Sequence, residues 1–385
     1  ATDGRYVWAE KTSLGGDDCI AVAAAFAILA DDSLSHPPLE VVITVDEETG
    51  MDGAVALDCS DLKGRRLLNL DSEEEGVFTV SCAGGLRADC FVPAAKEPLT
   101  DEACFAVSIG GLKGGHSGAE IDKGRGSGND LISRVLYSAM ERLGTLRIAD
   151  LRGGQFDNVI CTRCDAVVAV PAGKAEDFAA FIREFDGILK NEYAATDGGV
   201  TLTCAAAEAD AAYSAEDSSR LLHVLLTLPQ GVEVMSADFP GLVQTSLNLG
   251  VMTACGDGLH FSFSIRSSVA TQKELLLQRV RAIVEYTGGG TVSTRGDYPA
   301  WQYARQSPLR DTVMASYKQI TGQDGVIMAT HGGLECGLLI NKMPGLDAVS
   351  LGPELHDIHS PRERLGVDSV KRMYALVCEV LKNCR

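Results

Sequence analysis

Residues 41–53, VVITVDEETGMDG, constrain the fold of this chain more than any other stretch. Residues 41–45 are apolar or β-branched and read as a buried strand. Asp46, Glu47 and Glu48 follow at once, and then Thr49-Gly50 and Asp52-Gly53 as turn residues. Three carboxylates at the end of a buried strand repel one another and are driven toward protonation. A bound cation turns that repulsion into ligation. A second apolar run, residues 67–70, ends in Asp71-Ser72-Glu73-Glu74-Glu75. Two acidic clusters, each at a strand end, predict a metal site at the edge of a sheet.

The flanking sequence tells how that sheet is covered. A helix of small residues runs from Cys19 to about Asp31, apolar nearly all round, and is predicted to be buried. Asp17 and Asp18 stand at its start, where the helix dipole favours negative charge. Aspartate caps many helices without further function, so Asp17 taken alone reads as a cap before it reads as a ligand. Helices alternating with apolar strands predict an α/β fold, a mixed sheet flanked by helices. The chain has 385 residues, more than one core usually serves. The texture changes after residue 76. From 85 to 298 the order strand, helix, strand, strand, helix occurs twice. The first set is 104–109, 129–143, a paired 158–161 and 166–170, and 175–192. The second is 200–205, 218–226, 245–253, 259–266 and 273–286. This predicts an inserted α+β domain of two similar halves over 85–298. Residues 1–84 and 299–385 would together make the sheet domain.

Composition narrows the function. The net charge of −19 argues against nucleic acid or an anionic membrane as partner and suits a holder of divalent cations. The longest apolar run, 12 residues from Cys19, falls short of the roughly 20 that a membrane helix needs. The first residues, ATDGRYVWAEK, have no secretory pattern. Twelve cysteines lie in no framework spacing, as expected of a reducing cytoplasm with cysteine used as a small buried residue. Cys161 and Cys164 form the one C-x-x-C; a plain strand and turn explains it better than half of a zinc site.

Five residues stand as candidate ligands: Asp17, Glu47, Glu48, Asp71 and His359. The histidine lies in GPELHDIHSP, residues 352–361, after the last apolar strand. Open α/β sheets bind ligands at the carboxyl ends of their strands. Carboxylate with imidazole suits zinc or manganese, and two ions bridged by one Asp is a recurrent hydrolytic device.

The motifs GGDD (15–18), VDEETGMDGA (45–54), NLDSEEEG (69–76), GLKGGHSG (111–118), HGGLECG (331–337) and GPELHDIHSP resemble those of the aminoacyl-histidine dipeptidases. These belong to the co-catalytic zinc peptidases, with the aminoacylases and glutamate carboxypeptidases. The resemblance implies hydrolysis of Xaa-His dipeptides of the carnosine type, with two Zn2+ per site and Co2+ or Mn2+ as substitutes. It implies Asp17 as the bridge, Glu48 and His359 on one zinc and Asp71 on the other. Glu47 would be the general base and Asp46 a bystander. The inserted domain would be a lid: His116 would stabilise the oxyanion, Asn158 and Arg266 would hold the substrate carboxylate, and His331, Gly332 and Gly333 would line the pocket. A cytoplasmic enzyme acting on small peptides, compatible with a homodimer, is the implied setting.

Two departures modify these expectations. The family carries an H-x-D motif before the Gly-Asp turn, its His a zinc ligand, and no His precedes His36 here. The chain is therefore expected either to lack an upstream segment or to hold one zinc well and the second poorly, with weak activity as it stands. Asp18 also replaces the family's usual Asn. An aminoacylase or carboxypeptidase, and a non-catalytic metal- or peptide-binding relative, are the alternatives. The retained Glu47 counts against the last, because a binder needs no base.

Overall fold

The computed structural model describes residues 1–384. The chain divides into two units, Ala1–Ala83 with the chain from Pro299 onward, and Gly84–Tyr298.

The first unit is built on a four-stranded sheet in the order Val326–Thr330, Val77–Cys82, Asp347–Ser350, Arg66–Asn69. The two outer pairs are parallel and the central contact is antiparallel, so the sheet is mixed. The helix Val367–Asn383 shows why it packs there: Met373, Leu376, Val377 and Val380 are buried and recur every three or four residues, forming one apolar face. That face meets Phe78, Val349, Leu351, Leu309 and Val313 in a single core. Phe78 also meets Tyr317 edge-on at 5.3 Å. The helix Pro308–Thr321 starts where sequence dictates. Ser307 caps it by accepting the Arg310 N–H, and Pro308 takes the first helical position. Asp347 then ties this helix to the sheet, accepting from the Ser307 hydroxyl at 2.6 Å and the Leu309 N–H at 2.9 Å.

Two expectations fail in this unit. Residues 41–45 form no strand, and Val41, Ile43 and Val45 are exposed. Among the described residues no strand pairs with them. A run of β-branched residues signals a preference for extended backbone, which needs a neighbouring strand to become sheet. The segment is instead held at its ends. Glu40 accepts the N–H groups of Lys63 and Gly64, and Gly53 lies so close to Val45 that a side chain there would strike its carbonyl at 2.3 Å. The helix Gly16–Leu29 is likewise not buried all round. Gly16, Ala24 and Ile28 are, while Phe26 and Leu29 face solvent.

The second unit carries a large antiparallel sheet in the order Thr291–Tyr298, Gly84–Pro93, Gly258–Ser267, Val243–Ala254, Arg147–Gly153, Cys164–Pro171, Glu102–Gly110, Thr201–Ala207; Gly231–Met235 also pairs with Val243–Ala254. The helices Gly128–Leu143, Ala175–Glu192 and Ala215–Thr227 and the helix starting at Ala270 bury Leu131, Leu136, Phe178, Ile182, Leu221 and Leu276 in one core with Phe261, Phe263 and Ile148. Residues 158–161 are not the partner of the strand Cys164–Pro171; Arg147–Gly153 is. The polar residues of RIADLRG hide that strand from pattern reading. Residues 158–161 form a loop because Asn248, fully buried, donates to the carbonyls of Asp157 and Val159, both at 2.9 Å.

Twelve free thiols are present. Cys161 and Cys164 are buried, and the Cys161 thiol donates to the Arg163 carbonyl at 3.0 Å, which is the strand-and-turn outcome. Among the described residues no helix is long and apolar enough to cross a membrane.

Candidate metal and substrate residues

In the first unit the acidic residues gather around a loop held from behind. The chain turns at Gly15, with φ of 71°, and enters the helix through Asp17 and Asp18, whose backbone is not helical. Glu363, buried to 3% exposure, accepts from Gly16 N–H at 2.7 Å, Gly15 N–H at 2.9 Å and Asp17 N–H at 3.2 Å. Burial opposes its ionisation, but these backbone donors outweigh it and hold the carboxyl below its ordinary value. Glu363 therefore sets where Asp17 points. Nothing in PRERLG suggested this, since the segment reads as a solvated run of charges. Replacing Glu363 by Gln turns one acceptor oxygen into a donor facing N–H groups. The variant is expected to lose about 10–100-fold in metal affinity or kcat/KM, as losses behind a metal ligand typically do, read by metal titration and by assay.

Three candidate ligands converge. His359 Nε2 lies 3.1 Å from Asp17 Oδ2 and 2.8 Å from Glu48 Oε1. The three ligand atoms lie within 4.8 Å of one another. Glu47 and Glu48 occupy the first turn of a short helix, Glu47–Gly50, entered through Asp46 at φ 57°. They are at a helix start rather than a strand end, so the two side chains leave the backbone in different directions. Asp71 follows the strand Arg66–Asn69, and the loop to His359 follows its parallel neighbour Asp347–Ser350. Two of the ligand segments thus leave one end of the sheet together.

The electrostatics are those of a site that wants a cation. Burial, then the charges of Asp18, Asp17 and Glu47, pushes Asp71 up to about 8. Burial, then Asp17, pushes Asp18 up to about 7. Glu47 is raised by burial, then by Glu48, Glu335 and Asp17. Glu73, which sequence reasoning passed over within the run of acids, is raised by burial and by Asp17. Burial works against the imidazolium of His359, but Glu48 and Asp17 outweigh it and raise its pKa. A donor set of carboxylates and one imidazole, closely spaced and mutually repelling, fits a divalent ion such as zinc. His331 is buried at the end of the strand Val326–Thr330, and the Gly332 N–H donates to Thr330 Oγ1 at 3.1 Å. Glu335 follows, accepting from Thr44 at 2.8 Å.

The second unit brings together His116, Asn158 and Arg266. The turn Gly114-Gly115, with φ of 66° and 143°, carries His116 against residue 159, and Ser117 N–H donates to the Asn158 carbonyl at 2.9 Å. His116 Nδ1 accepts the N–H groups of Gly118 and Ala119 at 3.2 and 3.1 Å. Burial, then the charge of Arg266, lowers its pKa. Neutral His116 therefore carries its proton on Nε2 and offers a donor there. Gly118 separates His116 from Arg266: a side chain at Gly118 would meet the guanidinium carbon at 3.3 Å. Arg266 is 6% exposed, donates from Nη1 to the Tyr298 hydroxyl at 3.1 Å, and buries Nε without a partner. Among the described residues no carboxylate forms an ion pair with it.

A mixed α/β unit carrying a carboxylate–imidazole cluster that fits a divalent ion defines the class: metal-dependent hydrolases. Residues 13–383 match the model of peptidase family M20/M25/M40, and the chain belongs to that family. It is 36% identical over 99% of its length to the cytosol non-specific dipeptidase of Escherichia coli, covering 78% of that protein. Its structure matches that of an aminoacylhistidine dipeptidase from Vibrio alginolyticus with TM-score 0.94 and 33% identity, covering 100% of this chain and 78% of the other. The aminopeptidase PepT of Bacillus cereus shares the fold, with TM-score 0.51 at 16% identity over 99% of this chain and 74% of its own. Peptidases of this family are metal-dependent, generally through zinc, and the chain is a metallopeptidase.

Proposed function

We propose that the chain is a cytoplasmic zinc dipeptidase that cleaves Xaa-His dipeptides of the carnosine type among other small peptides. The observation that carries this reading is the convergence of Asp17, Glu48 and His359 beside the raised carboxyls of Glu47 and Asp71. Asp17, Glu48 and His359 would hold one ion; Asp71, which the charge of Asp17 reaches, would serve a second. An ion held there supplies Lewis acidity. Glu47 takes a proton from the attacking water and passes it to the leaving amine. A carboxyl with a raised pKa suits both transfers. His116 donates from Nε2 to the oxygen on which charge develops. Among the described residues no carboxylate pairs with Arg266, and a substrate carboxylate would supply a counter-ion through a two-pronged hydrogen bond, with Asn158 beside it. The backbone of His331, Gly332 and Gly333 would line the pocket. The names of the Escherichia coli and Vibrio relatives support a dipeptide substrate. No nucleic acid or membrane takes part, and a homodimer is compatible with this reading.

The test is a substrate panel on metal-loaded protein: carnosine, dipeptides without histidine, a dipeptide amidated at its C-terminus, and N-acyl amino acids. Free dipeptides should be cleaved and the amide poorly. Arg266→Lys should raise KM for the free dipeptide and leave the amide unaffected. Preference for N-acyl amino acids would make the chain an aminoacylase instead. No hydrolysis of any of them would overturn the proposal.

A further inference from the structure

Among the described residues a second constellation could hold a metal: Cys255, Asp257 and His260, whose ligand atoms also lie within 4.8 Å of one another. Cys255 and Asp257 lie in the turn between the strands Val243–Ala254 and Gly258–Ser267, and His260 is the third residue of the second strand. None of them belongs to the carboxylate–imidazole cluster of Asp17, Glu48 and His359. The turn is built to hold its shape. Cys255 N–H donates to the Gly258 carbonyl at 2.8 Å. Tyr213, fully buried, brings its hydroxyl to the carbonyls of Cys255 and Gly258 at 2.5 and 2.7 Å. Gly258, at φ 151°, passes so close to the Val92 carbonyl that a side chain would strike it at 2.2 Å. The ring of His260 lies over Phe91, centroids 4.7 Å apart, and its Nε2 lies 3.5 Å from Asp257 Oδ1. The imidazole is thus aimed back at the turn rather than free to sweep through solvent.

We propose that this turn is a binding site for a thiophilic divalent cation of the zinc class, separate from the catalytic cluster. The donor set decides the metal. One thiolate and one imidazole favour zinc, cobalt or cadmium over magnesium or calcium, which take oxygen ligands. Zinc at its usual bond lengths of about 2.0–2.3 Å places tetrahedral ligand atoms roughly 3.3–3.8 Å apart. Small rotations of exposed side chains close the present spacing to that range. Water completes the shell, because the side chains of Asp257 and His260 are 69% and 49% exposed. Cys255 binds as thiolate, its proton passing to solvent.

The sulfur ligand gives a signature that the catalytic cluster, all oxygen and nitrogen, cannot produce. Titrating the full chain with Co2+ should raise a near-ultraviolet thiolate-to-metal charge-transfer band whose final intensity corresponds to one cobalt–thiolate centre per chain, whatever cobalt the catalytic cluster also takes up. Cys255→Ser should abolish it, and His260→Gln and Asp257→Asn should each weaken binding tenfold or more. Peptidase activity should stay unchanged in all three. Should Cys255→Ser fail to fold, by circular dichroism, the other two variants carry the test. Absence of the band in the parent chain, or an undiminished band in folded variants, would overturn the proposal.

Discussion

Glu47→Gln should lower kcat by about 10²–10⁴-fold, the usual worth of a positioned general base. Bound metal and KM should stay close to the parent values. The substitution keeps the shape of the side chain and removes its basicity. Burial comes first among the causes that raise Glu47, with Glu48, Glu335 and Asp17 adding to it. The acid limb of the kcat/KM profile should therefore lie above the ordinary glutamate range and vanish in the variant. Metal content by elemental analysis separates a lost base from a lost ion. If the variant keeps more than a tenth of the parent rate, the proton goes elsewhere, and Glu73, also raised and also near Asp17, is where to look.

The second large effect is on stability. Asp71 and Asp18 are raised to about 8 and about 7 in the folded chain, from 3.8. Between about pH 4 and 8 the unfolded chain has lost these protons while the folded chain keeps them. The folded state then binds more protons, so metal-free stability falls as pH rises through that window. A divalent ion takes over the protons' role and removes the penalty. At a hundred times Kd it adds about 2.7 kcal/mol, which at this unit's size is a rise in Tm of roughly 5–10 °C. The rise should be larger at pH 8 than at pH 6 and should disappear with a chelator. A Tm indifferent to metal at pH 8 would mean that the carboxyl cluster is not where the ion sits.

What could be read from sequence divides by the range of the interaction involved. The helices 129–143 and 175–192 were legible because their apolar spacing is local and strong. Asp17, Glu48 and His359 were legible as a set only through their motifs, since they lie far apart in the chain and meet through the fold. Residues 41–45 misled because pattern reports a preference for extended backbone and says nothing about whether a partner strand is there. The strand Arg147–Gly153 was missed for the opposite reason: its pairing outweighs its polar composition. Glu363 gave no signal at all, because its work is done through three backbone N–H groups that no side-chain pattern encodes.

The pairing of Gly85 with Tyr298, at the two ends of the second unit, has a consequence for how the chain folds. The first unit must join the strands Val77–Cys82 and Val326–Thr330, and Arg66–Asn69 and Asp347–Ser350, across a long span of sequence. Closing so long a loop costs entropy and slows folding. Once the second unit has formed its own sheet, its ends are neighbours, and for the first unit the whole insertion acts as a short connection. The second unit is therefore expected to fold first, with the metal-binding half assembling on a span already closed for it. Substitutions that loosen the strands Gly84–Pro93 or Thr291–Tyr298 would delay maturation of the catalytic half without touching it.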